Sequence, residues 1–145
     1  MGAFLLDVSV LVALMWPAHE AYQQVQAWFR KHGRQGWATC PLTQAGFARI
    51  VSNPAFSKDA VTPQEANAVL KANLEHPSHQ FWADEISFLE AVAPFEKRLF
   101  GHRQVMDAYL LGLAIHKKGR LVTLDQAIPA LLAGSNLEQQ YVITL

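Results

Sequence analysis

The chain has 145 residues, of which 51% are hydrophobic, and it carries 12 basic and 12 acidic side chains. This length and apolar content predict a single domain over residues 1–145 with a substantial buried core. The charge balance excludes a strong overall attraction to a polyanion, and the single cysteine, Cys40, excludes an internal disulfide and favours a cytoplasmic location.

The N-terminal segment predicts a buried strand and not a targeting signal. It has no basic residues, and its apolar run over residues 3–6 ends at an acidic residue, Asp7. A signal peptide needs a basic start and a longer apolar region, and a membrane span needs about 20 apolar residues. No part of the sequence approaches that length, so we expect no membrane association.

Strand and helix patterns alternate along the chain. Apolar residues at helical spacing, capping-box sequences beginning at Thr62 and Ser87, and stops at glycine or proline mark the helices. Short apolar runs mark the strands. The predicted helices cover residues 19–32, 43 to about 51, 63 to about 74, a short segment after Ser87 that Pro94 interrupts, and 105–117. The predicted strands cover residues 3–6, 36–40, 80–83, 120–124 and 141–145.

This alternation predicts an α/β fold, a three-layer sandwich with a central, mainly parallel sheet of about five strands. Ligands of such sheets bind at the carboxyl ends of the strands. Asp7 directly follows the first predicted strand, and Asp125 directly follows the fourth. Both carboxylates are therefore expected at the same edge of the sheet.

Asp107 is a third candidate, in the first turns of the 105–117 helix and surrounded by apolar residues. A carboxylate in such surroundings usually needs a cation or hydrogen-bond donors nearby. Each aspartate also has a simpler interpretation. Asp7 fits a helix cap, Asp107 an acidic residue favoured by the helix dipole, and Asp125 a turn residue or cap.

Together the three aspartates predict a divalent metal site. Neighbouring carboxylates raise one another's proton affinity unless a cation neutralises them, and Mg²⁺ or Mn²⁺ prefers such oxygen ligands. The sequence has no spacing typical of a zinc site. The expected chemistry is metal-assisted attack of water on phosphorus. Ser9 and Thr123 flank the site and are candidates for orienting an aspartate or water, or simply for local hydrogen bonding.

Four segments carry a family resemblance through their order and spacing. They are residues 5–11 (LLDVSVL), 40–50 (CPLTQAGFARI), 101–111 (GHRQVMDAYLL) and 119–125 (GRLVTLD). In this arrangement, which spans nearly the whole chain, the sequence resembles the PIN-domain ribonucleases and, within them, the VapC toxins of bacterial toxin–antitoxin pairs.

The resemblance implies endonucleolytic cleavage of structured RNA by a homodimer that a cognate antitoxin silences by inserting a segment into the active site. By resemblance, Asp7 and Asp107 match the magnesium ligands, and Asp125 matches a further acidic member of the site. Arg49 matches a basic position on the helix after the second strand.

The sequence departs from the family near the start of that helix, where many members carry a glutamate. The candidate positions here are Gln44 and Gly46, and neither supplies a charge. Gln44 can still hydrogen-bond a water on the metal, but we expect weaker metal affinity. Asp84 and Glu85, after the third strand, are candidates to compensate, or else belong to a solvated loop.

Local basic clusters around residues 30–32, 97–103 and 117–120 are candidates for gripping RNA phosphates, or are solvated helix ends. Arg49, His102 and Arg103 are the candidate RNA contacts. The leading hypothesis is a Mg²⁺-dependent endoribonuclease. The missing glutamate favours an alternative, a catalytically weak RNA- or partner-binding module. A phosphatase with Asp7 as its nucleophile is disfavoured, because Ser9 stands where that chemistry normally has a second aspartate.

Overall fold

The computed structural model describes residues 2–134 and 140–145. Within these residues, five strands and six α-helices alternate in chain order. The strands are β1 (Phe4–Leu6), β2 (Trp37–Thr39), β3 (His79–Phe81), β4 (Arg120–Thr123) and β5 (Val142–Thr144). The α-helices are α1 (Val8–Met15), α2 (Tyr22–His32), α3 (Pro41–Val51), α4 (Pro63–Leu74), α5 (Phe88–Val92) and α6 (Val105–His116). Short 3₁₀ segments cover Gly33–Gln35, Ala93–Arg98, His102–Gln104 and Ile128–Leu132.

The strands form one sheet in the order β3-β2-β1-β4-β5, and all four neighbouring pairs run parallel. Parallel neighbours cannot be joined by a tight turn, so longer crossover segments must connect them. Helices supply most of these crossovers. The predicted α/β architecture with a parallel five-stranded sheet is confirmed.

Two hydrophobic clusters cover the two faces of the sheet. Successive strand residues point to opposite faces, so Leu5 joins one cluster while Phe4 and Leu6 join the other. Residues of α5 and α6 fill the first cluster, and residues of α1 to α4 fill the second. The result is the three-layer sandwich that the alternating pattern predicts.

Helix α1 is an element that the sequence pattern did not predict. It follows β1 after a single residue, and its side chains from Val10 to Met15 are buried. A helix enclosed on all sides has no polar stripe, so it lacks the amphipathic signal by which helices are identified. In the described part of the chain, no helix is both long and apolar enough to cross a membrane.

The two helix starts predicted from capping boxes agree with the structure, whereas the helix predicted from residue 19 begins at Tyr22 and the one predicted from residue 43 begins at Pro41. Thr62 and Glu65 form the reciprocal capping box at the start of α4, with two bonds of 3.1 Å. The Ser87 hydroxyl accepts a hydrogen bond from the Glu90 amide and caps α5. At Pro94 the chain is already in a 3₁₀ segment, as expected for a residue that interrupts a helix.

The strand order determines where a ligand site can lie. From β1 in the centre, the chain passes to β2 and β3 on one side and then crosses to β4 and β5 on the other. The crevice between the carboxyl ends of β1 and β4 is therefore the topological switch point of the sheet, where parallel α/β folds bind their ligands. Asp7 and Asp125 follow these two strands, and α6 begins close to the same crevice.

Gly112, in the middle of α6, permits close packing of α6 on α5. A Cβ atom added at this position would overlap the backbone carbonyl of Ala91. We expect Gly112→Ala to lower the free energy of unfolding by roughly 1–3 kcal/mol, because α5 must shift to make room. Urea denaturation followed by circular dichroism measures this change.

Gly101→Ala is the matched control, since a Cβ atom there meets nothing within 4 Å. It should leave the unfolding midpoint nearly unchanged. If Gly112→Ala is as stable as the wild type or more stable, contact between α5 and α6 does not restrict the size of the side chain at residue 112.

Candidate functional site

A cleft of about 230 Å³ opens at the switch point of the sheet. The three predicted aspartates line it together, although they come from three different parts of the chain. The remaining wall is mostly apolar, with one basic residue. The lining comprises Asp7, Asp107 and Asp125 with Val8, Ser9, Leu42, Gly46, Arg49, Ile50, Met106 and Leu110.

Asp7 is buried, with 5% of its surface exposed. Its Oδ1 atom accepts hydrogen bonds from the Ser9 hydroxyl at 2.6 Å and from the Val10 amide at 3.0 Å, so Asp7 also caps α1. Burial raises the pKa of this carboxyl, although hydrogen bonds from Ser9, Thr123 and Val10 oppose the rise. Asp7 therefore both caps α1 and lines the cleft.

Ser9 and Thr123 connect the ends of β1 and β4. The Ser9 hydroxyl donates to Asp7 and also accepts from the Leu124 amide at 3.4 Å. Thr123 hydrogen-bonds the Asp7 carboxyl, and its hydroxyl accepts from the Asp125 amide at 2.9 Å. These small polar side chains fix the position of Asp7 relative to the β4 end.

Asp107 is half-buried in the first turn of α6. Among the described residues, no hydrogen bond to its carboxylate is found. Burial, and after it the negative charges of Asp7 and Asp125, raise the pKa of the Asp107 carboxyl from 3.8 to about 6. The carboxylate therefore faces other negative charge without a donor to stabilise it.

Asp125 is exposed, and its Oδ1 atom accepts a hydrogen bond from the Ala127 amide at 2.8 Å. This is the turn that the simpler interpretation of Asp125 predicted. The same residue lines the cleft with Asp7 and Asp107. Its charge contributes to raising the pKa of both.

A second cleft of about 240 Å³ adjoins the first and shares Asp107 and Asp125 with it. Its lining also contains Arg103 and Gln104. Of the predicted RNA contacts, Arg49 lines the first cleft and Arg103 the second. His102 is exposed and, within the described residues, lines neither.

The structure places Gln44 outside the cleft. Its side-chain amide donates to the Thr39 hydroxyl at 3.0 Å, which in turn contacts His79 Nε2 at 2.8 Å. Gly46 lines the cleft instead, and Val8 packs so closely on it that an added Cβ atom would overlap the Val8 side chain. Neither position adds a carboxylate to the site.

Asp84 and Glu85 are engaged elsewhere. Asp84 accepts a hydrogen bond from the Tyr109 hydroxyl at 2.8 Å. Glu85 pairs with Lys117 at 3.1 Å. In the described part of the chain neither residue lines the two clefts. They do not replace the absent glutamate in this arrangement.

The chemistry of the lining suits a hard divalent cation. Among the described residues, no histidine or cysteine lines the cleft, and no three His, Cys, Asp or Glu side chains are close enough together to hold one ion. Mg²⁺ commonly takes one or two protein carboxylates and completes its shell with water and substrate phosphate. Asp7 and Asp107 supply two carboxylates, and their raised pKa values indicate that positive charge would stabilise both.

Two apolar residues of the cleft lining on α3, Leu42 and Ile50, were not among the site residues predicted from sequence. Leu42, Gly46, Arg49 and Ile50 are spaced at i, i+4, i+7 and i+8 along α3, and all four line the cleft. That spacing places them on one face of a helix. Helical periodicity applied to the segment 41–51 would have identified this face of α3 once the position of the cleft was known.

Comparison with known proteins gives the family. The PIN domain family matches residues 4–131. The chain is 41% identical to ribonuclease VapC39 of Mycobacterium tuberculosis over 124 residues, which cover 86% of this chain and 89% of that protein. Ribonuclease VapC38 of the same organism is 42% identical over 86% of each chain. Ribonuclease VapC44 is 37% identical over 97% of this chain and 98% of its own length.

Solved structures show the same fold. PAE2754 from Pyrobaculum aerophilum superposes with a TM-score of 0.61 at 22% identity, covering 92% of this chain and 82% of that one. VapBC2 from Rickettsia felis, solved with a DNA fragment of its promoter, superposes with a TM-score of 0.57 at 15% identity. The match covers 85% of this chain and 87% of that one. From the family match and the identities above, the chain belongs to the PIN domain family and, within it, to the VapC-type ribonucleases.

Proposed function

We propose that this chain is a Mg²⁺-dependent endoribonuclease, the toxin of a type II toxin–antitoxin system, that hydrolyses phosphodiester bonds of structured RNA in the cytoplasm. Mn²⁺ is the expected substitute ion. The observation that carries the proposal is the lining of one cleft by Asp7, Asp107 and Asp125 at the switch point of the sheet. Relatives named as VapC ribonucleases support the reaction class.

The proposal includes partners. A solved relative of the same fold, VapBC2 of Rickettsia felis, supports a cognate antitoxin as the protein partner. The single nuclease domain over residues 1–145 acts as a homodimer in this proposal, on the basis of family resemblance. Light scattering of the purified protein tests the dimer directly.

In the proposed site, Asp7 and Asp107 hold the metal ion. When bound, the ion supplies Lewis-acid activation of a water molecule and neutralisation of charge on the scissile phosphodiester. Ser9 and Thr123 keep the Asp7 carboxylate in place through the hydrogen bonds that join β1 to β4. Asp125, which is exposed and lines the same cleft, would be the further acidic member of the site.

Two arginines are proposed to contact RNA phosphates on either side of the aspartates. Arg49 lines the first cleft and Arg103 the second. A guanidinium group presents several donors in a planar fork that matches phosphate oxygens. The net charge of the chain is zero, so attraction to RNA depends on such local contacts. His102 is proposed to contribute from the exposed segment beside Arg103.

A second candidate function follows from the position of Gln44. Gln44 is hydrogen-bonded to Thr39, and Gly46 has no side chain. Among the described residues, the acidic side chains that line the cleft are therefore the three aspartates. A site with little negative charge holds a cation less tightly. The second candidate is therefore a PIN-like module that binds RNA or a protein partner and cleaves weakly.

Asp7→Asn and Asp107→Asn should each reduce RNA cleavage by at least roughly a hundredfold, because each removes a carboxylate proposed to hold the metal. The measurement is the rate at which purified protein with Mg²⁺ cleaves total tRNA, resolved on a denaturing gel. Asp59→Asn is the matched control, since Asp59 is exposed and lies outside both clefts.

The same assay separates the two candidate functions. Cleavage that EDTA abolishes and Mn²⁺ restores, and that depends on Asp7, supports the nuclease. Binding of RNA with cleavage equal in wild type and Asp7→Asn would favour the weak module and contradict the proposed enzyme.

Stability should depend on pH through Asp107. Its folded-state pKa is raised to about 6, so the folded protein binds more protons than the unfolded chain between about pH 4 and pH 6. The metal-free protein should therefore lose stability as pH rises through this window. Asp107→Asn removes this loss and should raise the melting temperature at pH 7.5 but not at pH 4.

Mg²⁺ provides the complementary measurement. It should raise the melting temperature of the wild type and of Asp59→Asn at pH 7.5, because it binds the folded protein and stabilises the ionised carboxylates. It should have little effect on Asp107→Asn. If Asp107→Asn and the wild type have equal melting temperatures with and without Mg²⁺, the negative charge of Asp107 does not destabilise the folded protein. That result would contradict the prediction.

A further inference from the structure

The two clefts that meet at Asp107 and Asp125 each have one arginine and several apolar residues in their lining. In the second cleft, Arg103 and Gln104 stand beside the shared aspartates. In the first, Arg49 lines the cleft together with an aliphatic surface formed by Leu42 and Ile50 of α3 and Met106 of α6. We call these three residues the apolar wall.

We propose that the apolar wall of the first cleft is the subsite for the base of an unpaired nucleotide adjacent to the scissile phosphate. This inference rests on the proposed ribonuclease function and adds to it residues that bind the substrate base. The RNA strand then passes over Asp107 and Asp125, which line both clefts. Its base lies on the apolar wall and a neighbouring phosphate contacts Arg103.

The size of the cleft favours a single base. Its volume of about 230 Å³ lies below the roughly 300–1,000 Å³ of pockets that enclose drug-sized ligands. A flat heterocyclic ring fits such a space, whereas a stacked base pair needs more room. In a duplex the faces of a base are covered by its neighbours, so a base must be unpaired or splayed out to reach this wall.

The exposure of Met106 favours an apolar contact. Met106 directly precedes Asp107 and lines the cleft, and 46% of the surface of this residue is exposed. Covering this surface with the face of a base removes apolar area from water on both partners. The thioether chain is also flexible and adapts to rings of different shape.

The side chains of the apolar wall predict that different bases bind equally well. Leu42 and Ile50 have no polar atoms in their side chains, and the Met106 sulfur is only a weak acceptor. The wall therefore contacts the face of a base and does not discriminate between hydrogen-bonding edges. The subsite should require a base without selecting which base.

The test compares Met106→Ser with a matched control, Val69→Ser. Both residues are exposed on helices, and Val69 lies on α4 outside both clefts. Each substitution is made in the Asp7→Asn background to block cleavage. Fluorescence anisotropy then measures binding to a labelled single-stranded oligouridylate and to an oligonucleotide of the same length made of stable abasic ribonucleotides.

Met106→Ser should weaken binding of oligouridylate by about fivefold and leave binding of the abasic strand unchanged. Oligoadenylate should show the same loss as oligouridylate, whereas Val69→Ser should bind both strands like its parent. An equal effect of Met106→Ser on base-bearing and abasic strands, or no effect on either, would overturn the subsite.

The outcome for the subsite is separable from that for the nuclease. Cleavage that depends on Asp7, combined with no base-dependent loss in Met106→Ser, would overturn the subsite alone. A base-dependent loss in Met106→Ser without cleavage by the wild type would overturn the nuclease and leave the base contact standing.

Discussion

The burial of carboxylates at the switch point of the sheet, together with the repulsion between them, is the constraint on which the site depends. Asp7 is held at 5% exposure by the strand and helix that it joins, and Asp107 is delivered beside it by α6. Burial raises the pKa of both groups, repulsion from Asp125 adds to the rise in each, and the charge of Asp7 adds to the rise in Asp107. A raised pKa means that the negative, ionised form of each carboxyl is disfavoured in the folded protein. A divalent cation between the carboxylates would stabilise that form.

The surrounding structure holds this repulsive arrangement in place. Ser9 and Thr123 tie Asp7 to the end of β4, and the amide of Val10 fixes the same carboxylate at the start of α1. Close packing of α6 on α5 at Gly112 sets the position of the helix that carries Asp107. The acidic groups thus stay together because the hydrophobic layers on both faces of the sheet determine where they lie.

The strand and helix order was predictable because its signals are local. Thr62 with Glu65 marks a helix start by sequence alone, and short apolar runs mark buried strands. The edge shared by Asp7 and Asp125 followed from the rule for parallel sheets. Asp107 was identified from its apolar surroundings and by resemblance. These features need no knowledge of which elements pack together.

Features that depend on tertiary packing were not predictable in the same way. Helix α1 is enclosed on all sides and shows no amphipathic pattern. The direction of Gln44 depends on Thr39, which lies on a strand and contacts His79 from the neighbouring strand. The apolar wall combines α3 with α6, helices on opposite faces of the sheet, so no single stretch of sequence contains it.

Crystals grown with Mn²⁺ provide the most direct test of the central claim, because anomalous scattering locates this ion independently of the protein. If Asp7 and Asp107 hold the ion, an anomalous peak lies in the cleft between their carboxylates and is lost in crystals of Asp107→Asn. Ordered Asp7 and Asp107 carboxylates with no peak between them at saturating Mn²⁺, or an ion bound only elsewhere on the protein, would contradict the claim.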